Sequence, residues 1–236
     1  MTRLNKSQEQ ASHLCPPVGV QQADDLEHNP PIPEDHPTVG YRLNHCMLRI
    51  RDPEATLRFY IDQMGMRTIF TTNTGPFTIS YLGYPQTAEQ GAAPASFSRD
   101  MMPQPVMSRT QGLLELVHYH GSELLPASHI SSGTAPPHLG FNHLGFTVPD
   151  VGATVERLRR DGVKVVKDVG EGPVEGIPTT TWEREALGVA TGDLDPIFGK
   201  ILRQIAFFED PVSFFWCLAC MMREMCACWA DRTFWP

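Results

Sequence analysis

The sequence predicts an α+β protein built from two copies of a βαβββ module, and three observations carry that expectation. The segment Leu43-Asn44-His45-Cys46-Met47-Leu48-Arg49-Ile50-Arg51-Asp52 returns as Phe141-Asn142-His143-Leu144-Gly145-Phe146-Thr147-Val148-Pro149-Asp150. Asn44/Asn142, His45/His143, Asp52/Asp150, Ala55/Ala153 and Thr56/Thr154 keep one offset of 98 residues (143 − 45). A gap-free register of this kind is what a duplicated structural unit leaves in a sequence. Apolar residues alternate where each copy starts, which is a strand pattern. Each copy then places an Asp at a helix N-cap position, and Pro53 follows the first of them as the first helical residue.

Residues 1–38 are polar and rich in proline (Pro30-Pro31-Ile32-Pro33, His36-Pro37) and read as a flexible or extended arm. The first module spans 39–122. Its opening strand runs from Tyr41 to Ile50, with Leu43, Cys46, Leu48 and Ile50 apolar. Leu57, Tyr60, Ile61 and Met64 then fall at helical spacing, and Gly65 ends the run. Strands are expected over Met66 to Phe70, Phe77 to Leu82 and Leu113 to His118, with Pro85 to Thr110 as a long loop.

A linker, 123–138, leads to the second module, 139–211. Phe141 to Val148 is its first strand, and Val155 and Leu158 line a helix that Gly162 stops. Val163 to Val166 and Arg203 to Phe208 are further strands, separated by a long loop (176–203) with one helical turn. From Val212 the composition changes: the last 25 residues (236 − 211) hold four of six Cys and three of four Trp, and no periodicity persists. The second module is therefore expected to lack its last strand. Val212-Ser213 can be encoded GTG-AGT, a splice-donor sequence, so the segment 212–236 reads as translated intron. A thiolate zinc knot from Cys217, Cys220, Cys226 and Cys228 fits less well, since the spacing matches no standard finger.

An apolar share of 41 % and a charged share of 19 % suit a soluble globular protein. The net charge of −8 argues against a sequence-independent nucleic-acid binder. No apolar run is long enough for a membrane span: the nearest, Val212 to Trp229, is broken by Arg223-Glu224. The polar N-terminus shows no secretory core, so a cytoplasmic, reducing location with free thiols is expected.

The chemistry gathers on three residues. His45 and His143 sit on equivalent strands, and a pseudo-twofold relation between modules would bring them together. Glu115 lies on the last strand of the first module, within Leu114-Glu115-Leu116-Val117-His118. Any one histidine or carboxylate on a strand is more often a packing or surface residue than a ligand. The repeat of the histidine in one register is what points to a metal. Two imidazoles and a carboxylate suit Zn, Ni, Co, Mn or Fe.

His45 to Pro53, Leu114 to His118, Gly140 to Val151 and Phe207 to Pro211 resemble, in that order, the four signature tracts of glyoxalase I (lactoylglutathione lyase), of the vicinal oxygen chelate superfamily. The resemblance runs from Tyr41 to Pro211. It implies a cup-shaped mixed sheet and one divalent metal ion, Zn or alternatively Ni or Co. It implies isomerisation of the methylglyoxal–glutathione hemithioacetal to S-lactoylglutathione. Of four implied ligands, three carry over to His45, Glu115 and His143. The fourth, a Glu that usually also moves the proton, falls at Cys217, and the Gly-Tyr before it is Ser213-Phe214. Arg49, Tyr119 and Lys167 stand at implied substrate-binding positions, Tyr119 where the family usually has Asn. The family builds its sites within one chain or between two, which makes a homodimer an expected partner. Two other readings stay open. One is a truncated or inactive product lacking the fourth ligand; the other is an epimerase or dioxygenase of the same superfamily.

Overall fold

The computed structural model describes residues 17–19 and 31–220. Contacts divide the chain into Met1–Tyr41 with Gly192–Ile201, and Arg42–Thr191 with Leu202–Pro236. In the first unit the chain turns tightly between Pro33 and Tyr41, with the N–H of His36 donating to the Pro33 carbonyl. Among the described residues, the strands lie in the second unit.

Two four-stranded sheets share one topology. The first holds β1 (His45–Ile50), β2 (Arg67–Asn73), β3 (Phe77–Gly83) and β4 (Leu113–Tyr119) in the order β1-β4-β3-β2. The second holds β5 (His143–Val148), β6 (Val165–Lys167), β7 (Ala206–Glu209) and β8 (Phe215–Cys220) in the order β5-β8-β7-β6. In both, the first strand is parallel to the last and the other pairs are antiparallel.

The duplicated Asp, Ala and Thr explain how each first strand hands over to its helix. Asp52 accepts from the N–H of Ala55 at 2.9 Å, and Asp150 from that of Ala153 at 2.9 Å. The hydroxyls of Thr56 and Thr154 each donate to the carbonyl of the capping Asp at 2.6 Å. These caps open α1 (Pro53–Arg58), which continues as a π-helical turn (Phe59–Gln63), and α5 (Val151–Arg160). Capping of this kind satisfies N–H groups that have no partner inside the helix.

Alternation along the strands sends one face of each sheet into a shared core. Leu48, Ile50, Leu82, Leu114 and Leu116 meet Val155, Leu158, Phe208, Trp216 and Leu218 there. Trp216 sits at the junction, edge-on to Tyr60 with centroids 5.3 Å apart and tilted against Phe146 at 4.8 Å.

The expected loss of the second module's last strand is corrected by β8, which pairs with both β5 and β7. Its alternation escaped notice because the strand is central and apolar on both faces. Trp216 and Leu218 turn into the core while Phe215 and Cys217 pack with Ile177, Leu202 and Phe207 on the other side. A strand buried on both faces shows no polar–apolar alternation. Residues 221–236, the rest of the tail read as intron, lie outside the described residues.

Both long loops also hold helices. The stretch 85–110 contains α2 (Ala88–Ala92), α3 (Pro94–Met101) and α4 (Gln104–Met107). Phe97 and Met101 of α3 pack on Ile69 and Leu113. The stretch 176–203 contains α6 (Thr181–Glu185), opened by a Thr180/Glu183 capping box, and most of α7 (Pro196–Gln204). Helices of one or two turns are too short to display a periodicity, so the Pro- and Gly-rich composition dominated. Because α7 runs to Gln204, β7 begins at Ala206 rather than at Arg203.

A buried carboxylate shapes the turn into β8. Asp210 is 5 % exposed. Its Oδ2 accepts from the Tyr60 hydroxyl at 2.5 Å, and its Oδ1 from the N–H groups of Val212 and Phe214, both at 2.9 Å. Burial pushes this carboxyl up and the Tyr60 and backbone donors pull it back. Tyr60→Phe removes a side-chain donor that joins the first module to this turn. Loss of a buried donor costs about 1–3 kcal/mol. The expected result is a lower denaturant midpoint with an unchanged slope; an unchanged midpoint would mean the bond contributes nothing.

Candidate functional site

The alternation that buries Leu48 and Ile50 turns His45, Met47 and Arg49 to the opposite, exposed face of β1. The parallel register sets Met47 against Glu115, so Glu115 shares that face, two positions along from His45. His45 Nε2 lies 3.2 Å from Glu115 Oε2. On the ring's other side, Nδ1 is 2.9 Å from Asn44 Oδ1. The Asn44 amide is held in that orientation by its own Nδ2, which donates to the carbonyls of Met107 and Thr110 at 2.8 and 2.6 Å.

With an acceptor facing it, Nδ1 is the ring nitrogen placed to donate, which leaves Nε2 toward the carboxylate. An imidazole nitrogen and a carboxylate oxygen side by side are the donor types a divalent ion takes, so these two residues would hold one if it were bound. Tyr81 completes this cluster. Its hydroxyl donates to Glu115 Oε2 at 3.0 Å, and its ring meets His45 edge-on at 5.4 Å. Burial and then Glu115 push the Tyr81 hydroxyl up to about 12, which keeps it a donor.

The second sheet repeats the frame with other side chains. His143 Nδ1 is 2.7 Å from Asn142 Oδ1. Cys217 stands opposite Gly145 and Phe207, as Glu115 stands opposite Met47 and Tyr81. The thiol thus holds the register position of the carboxylate, and Phe207 holds that of Tyr81. The Phe207 ring meets His143 edge-on at 5.2 Å. Cys217 is 7 % exposed, and burial pushes its thiol up to about 11 against the pull of nearby Lys167. Burial also lowers His143.

The structure brings His45 and Glu115 together, but not with His143. Among the described residues no three His, Cys, Asp or Glu side chains form a group able to hold a metal ion. The expectation that the two histidines meet inside one chain is corrected accordingly. The inner faces of the sheets are taken up by the common core, so each histidine stays on the outer face of its own sheet.

Arg49 and Tyr119 also come together, with the guanidinium carbon 4.8 Å from the ring centroid. Both line a cavity of about 500 Å³ with Met47, Ser122, His129 and Phe141. Lys167 is elsewhere. It is 1 % exposed, and its Nζ donates to the carbonyls of Asp168 and Ile205 at 3.0 and 2.8 Å. The sequence reading missed Tyr81, Asn44 and Asn142. The two asparagines carried a signal, since both repeat beside their histidines; Tyr81 carried none beyond its place on a strand.

Two sheets of this topology, with a histidine–carboxylate pair on an outer face, define a duplicated βαβββ protein of the glyoxalase type. The chain matches the Glyoxalase/Bleomycin resistance protein/Dioxygenase superfamily over residues 42–181, and it belongs to that family. It is 33 % identical over 132 residues to Glyoxalase I of Saccharomyces cerevisiae, covering 55 % of this chain and 38 % of that protein. It is 29 % identical over 139 residues to the lactoylglutathione lyase of Schizosaccharomyces pombe, covering 58 % and 42 %. With the lactoylglutathione lyase of Pseudomonas aeruginosa it shares 34 % over 137 residues, covering 57 % and 73 %. The chain thus spans less than half the length of the two yeast relatives. The family and the α+β fold of two mixed sheets stand as the motifs indicated.

At pH 8, a thiol with a pKa near 11 is ionised in roughly one molecule in a thousand. Cys217 should resist iodoacetamide in the folded protein at that pH and react once the chain is unfolded. Site-resolved mass spectrometry of the alkylated peptides reads this directly; rapid labelling of folded Cys217 would contradict its burial.

Proposed function

We propose that this chain is a lactoylglutathione lyase of the glyoxalase I type, acting on the hemithioacetal of methylglyoxal and glutathione. The observation that carries this reading is the His45–Glu115 pair, with Asn44 facing His45 Nδ1 and donor types suited to one divalent ion. Zinc is the first choice of metal, with nickel or cobalt as alternatives; when bound, it supplies Lewis-acid stabilisation of negative charge on the substrate oxygens.

The chain's own residues do the rest. Arg49, held against the Tyr119 ring, offers a guanidinium fork to a carboxylate of glutathione at the mouth of the cavity. Glu115 is the one carboxylate at the two equivalent register positions. It takes the proton from the carbon bearing sulfur and returns it to the neighbouring carbon, while the hydroxyl proton passes from the oxygen on the first carbon to the oxygen on the second, so the substrate is isomerised with no net gain or loss. The neutral Cys217 thiol offers no base in the matching position. Lys167, spent on two carbonyls, is assigned to structure rather than to glutathione.

A homodimer completes the ligand set in this reading. β1 and β5 each form one edge of their sheets and carry the two histidines. An edge strand has a free row of backbone donors and acceptors that another copy can pair with. Edge-to-edge pairing would set His143 of one copy beside His45 and Glu115 of another. Among the described residues no helix is long and apolar enough to cross a membrane; the cytoplasm is the proposed location.

A second reading, an inactive member of the fold, draws on Cys217 in the place of a carboxylate. Assaying the preformed hemithioacetal with Zn, Ni or Co separates the two. The parent chain should turn over, His45→Ala should be inactive, and Cys217→Glu should be faster, by up to about 10²-fold, because it adds a second carboxylate to the one that Glu115 supplies. Activity in Cys217→Glu alone would favour the second reading. No activity in either chain would sink the lyase assignment.

A further inference from the structure

We propose that Tyr81 is a positioning residue for Glu115, its hydroxyl fixing the carboxylate oxygen that faces His45 so that the pair is prepared for a cation. The proposal rests on the reading of His45 and Glu115 as metal ligands and goes beyond it in naming what holds them.

The two sheets provide an internal comparison. Tyr81 and Phe207 occupy the same place: each pairs in register with the strand position that holds Glu115 or Cys217, and each sets its ring edge against the histidine of its sheet. Packing against the imidazole therefore needs only the ring, and Phe207 supplies it without a hydroxyl. The hydroxyl occurs in the sheet that has the carboxylate and is missing from the sheet that has the thiol. It donates to the oxygen that also faces His45 Nε2.

The donor is itself rigidly placed. Tyr81 lies on β3, between β2 and β4, and stacks on Phe70 with centroids 4.9 Å apart and ring planes 18° from parallel. A Glu side chain has three rotatable bonds, and Glu115 is partly exposed. Left alone, its carboxylate would sample orientations with neither oxygen beside Nε2. A hydrogen bond from a side chain locked on a central strand removes that freedom before any ligand arrives. Outer partners of this kind typically change metal affinity by about 10–100-fold when removed.

The test uses cobalt(II) as the probe, followed by its visible d–d absorption during titration of the full chain. The parent should bind cobalt and His45→Ala should not. Tyr81→Phe should bind on the order of tenfold more weakly with an altered spectrum, while its thermal midpoint stays close to the parent's because phenylalanine is the residue the second sheet already uses. Parental affinity and spectrum in Tyr81→Phe would overturn the proposal. A parent that binds no cobalt overturns both this inference and the metal site. A parent that binds cobalt without turning over the hemithioacetal overturns the lyase reading alone, and the Tyr81 comparison still decides.

Discussion

The parallel pairing of the first strand with the last in each module is the constraint on which the rest depends. Parallel neighbours need a long crossover, and here a helix and two antiparallel strands provide it. The crossover closes each unit into a four-stranded sheet with the Asn-His strand at its edge. Register then decides the chemistry. With Met47 opposite Glu115, the carboxylate shares a face with His45. A slip of one residue on β4 would turn Glu115 into the apolar core and Leu116 out toward solvent. The core contacts of Leu48, Ile50, Leu114 and Leu116 forbid that slip, so the packing that stabilises the fold also holds the candidate ligands in place.

The duplicated residues divide into two kinds. Asp52, Ala55 and Thr56, with Asp150, Ala153 and Thr154, are repeated because each module must start a helix right after its first strand. Asn44 and Asn142 repeat in the same relation to their histidines, each placing its Oδ1 within hydrogen-bond distance of the ring's Nδ1. The positions where the copies differ are as informative. Glu115 and Tyr81 are answered by Cys217 and Phe207, so one outer face carries an ionisable cluster and the other is close to apolar. Lys167, beside that apolar cluster, satisfies its ammonium on backbone carbonyls instead of on a carboxylate.

Much of this was legible in the sequence where local chemistry and the repeat agreed. β1, α1, β5 and α5 were visible through alternation and caps, and His45 and Glu115 through the repeat and the flanking apolar residues. β8 was not, because a central strand apolar on both faces offers no alternation to read. The association of His45 with Glu115 and Tyr81 depends on pairing between strands far apart in the chain, which no local pattern encodes. Lys167 was named through the family resemblance, and no local pattern could show that its ammonium donates to the carbonyl of Ile205, contributed by a distant turn.

The asymmetry has an electrostatic consequence for the proposed ligand set. Two neutral imidazoles with two carboxylates would cancel the charge of a divalent ion; two imidazoles, one carboxylate and a neutral thiol leave one positive charge over. In a partly buried site, where Coulomb energies exceed those in water several-fold, that surplus has two opposed effects. It weakens the hold on the ion, since one anionic partner is gone. It also strengthens the pull on negative charge developing at a bound oxygen. Retention of the ion then rests heavily on the one carboxylate that remains, and on whatever keeps its oxygen beside His45 Nε2. Ionising Cys217 would restore the balance, but burial opposes it and only Lys167 favours it. In the proposed ligand set, one carboxylate in place of two raises the demand on that carboxylate's orientation, and the Tyr81 hydroxyl donates to it.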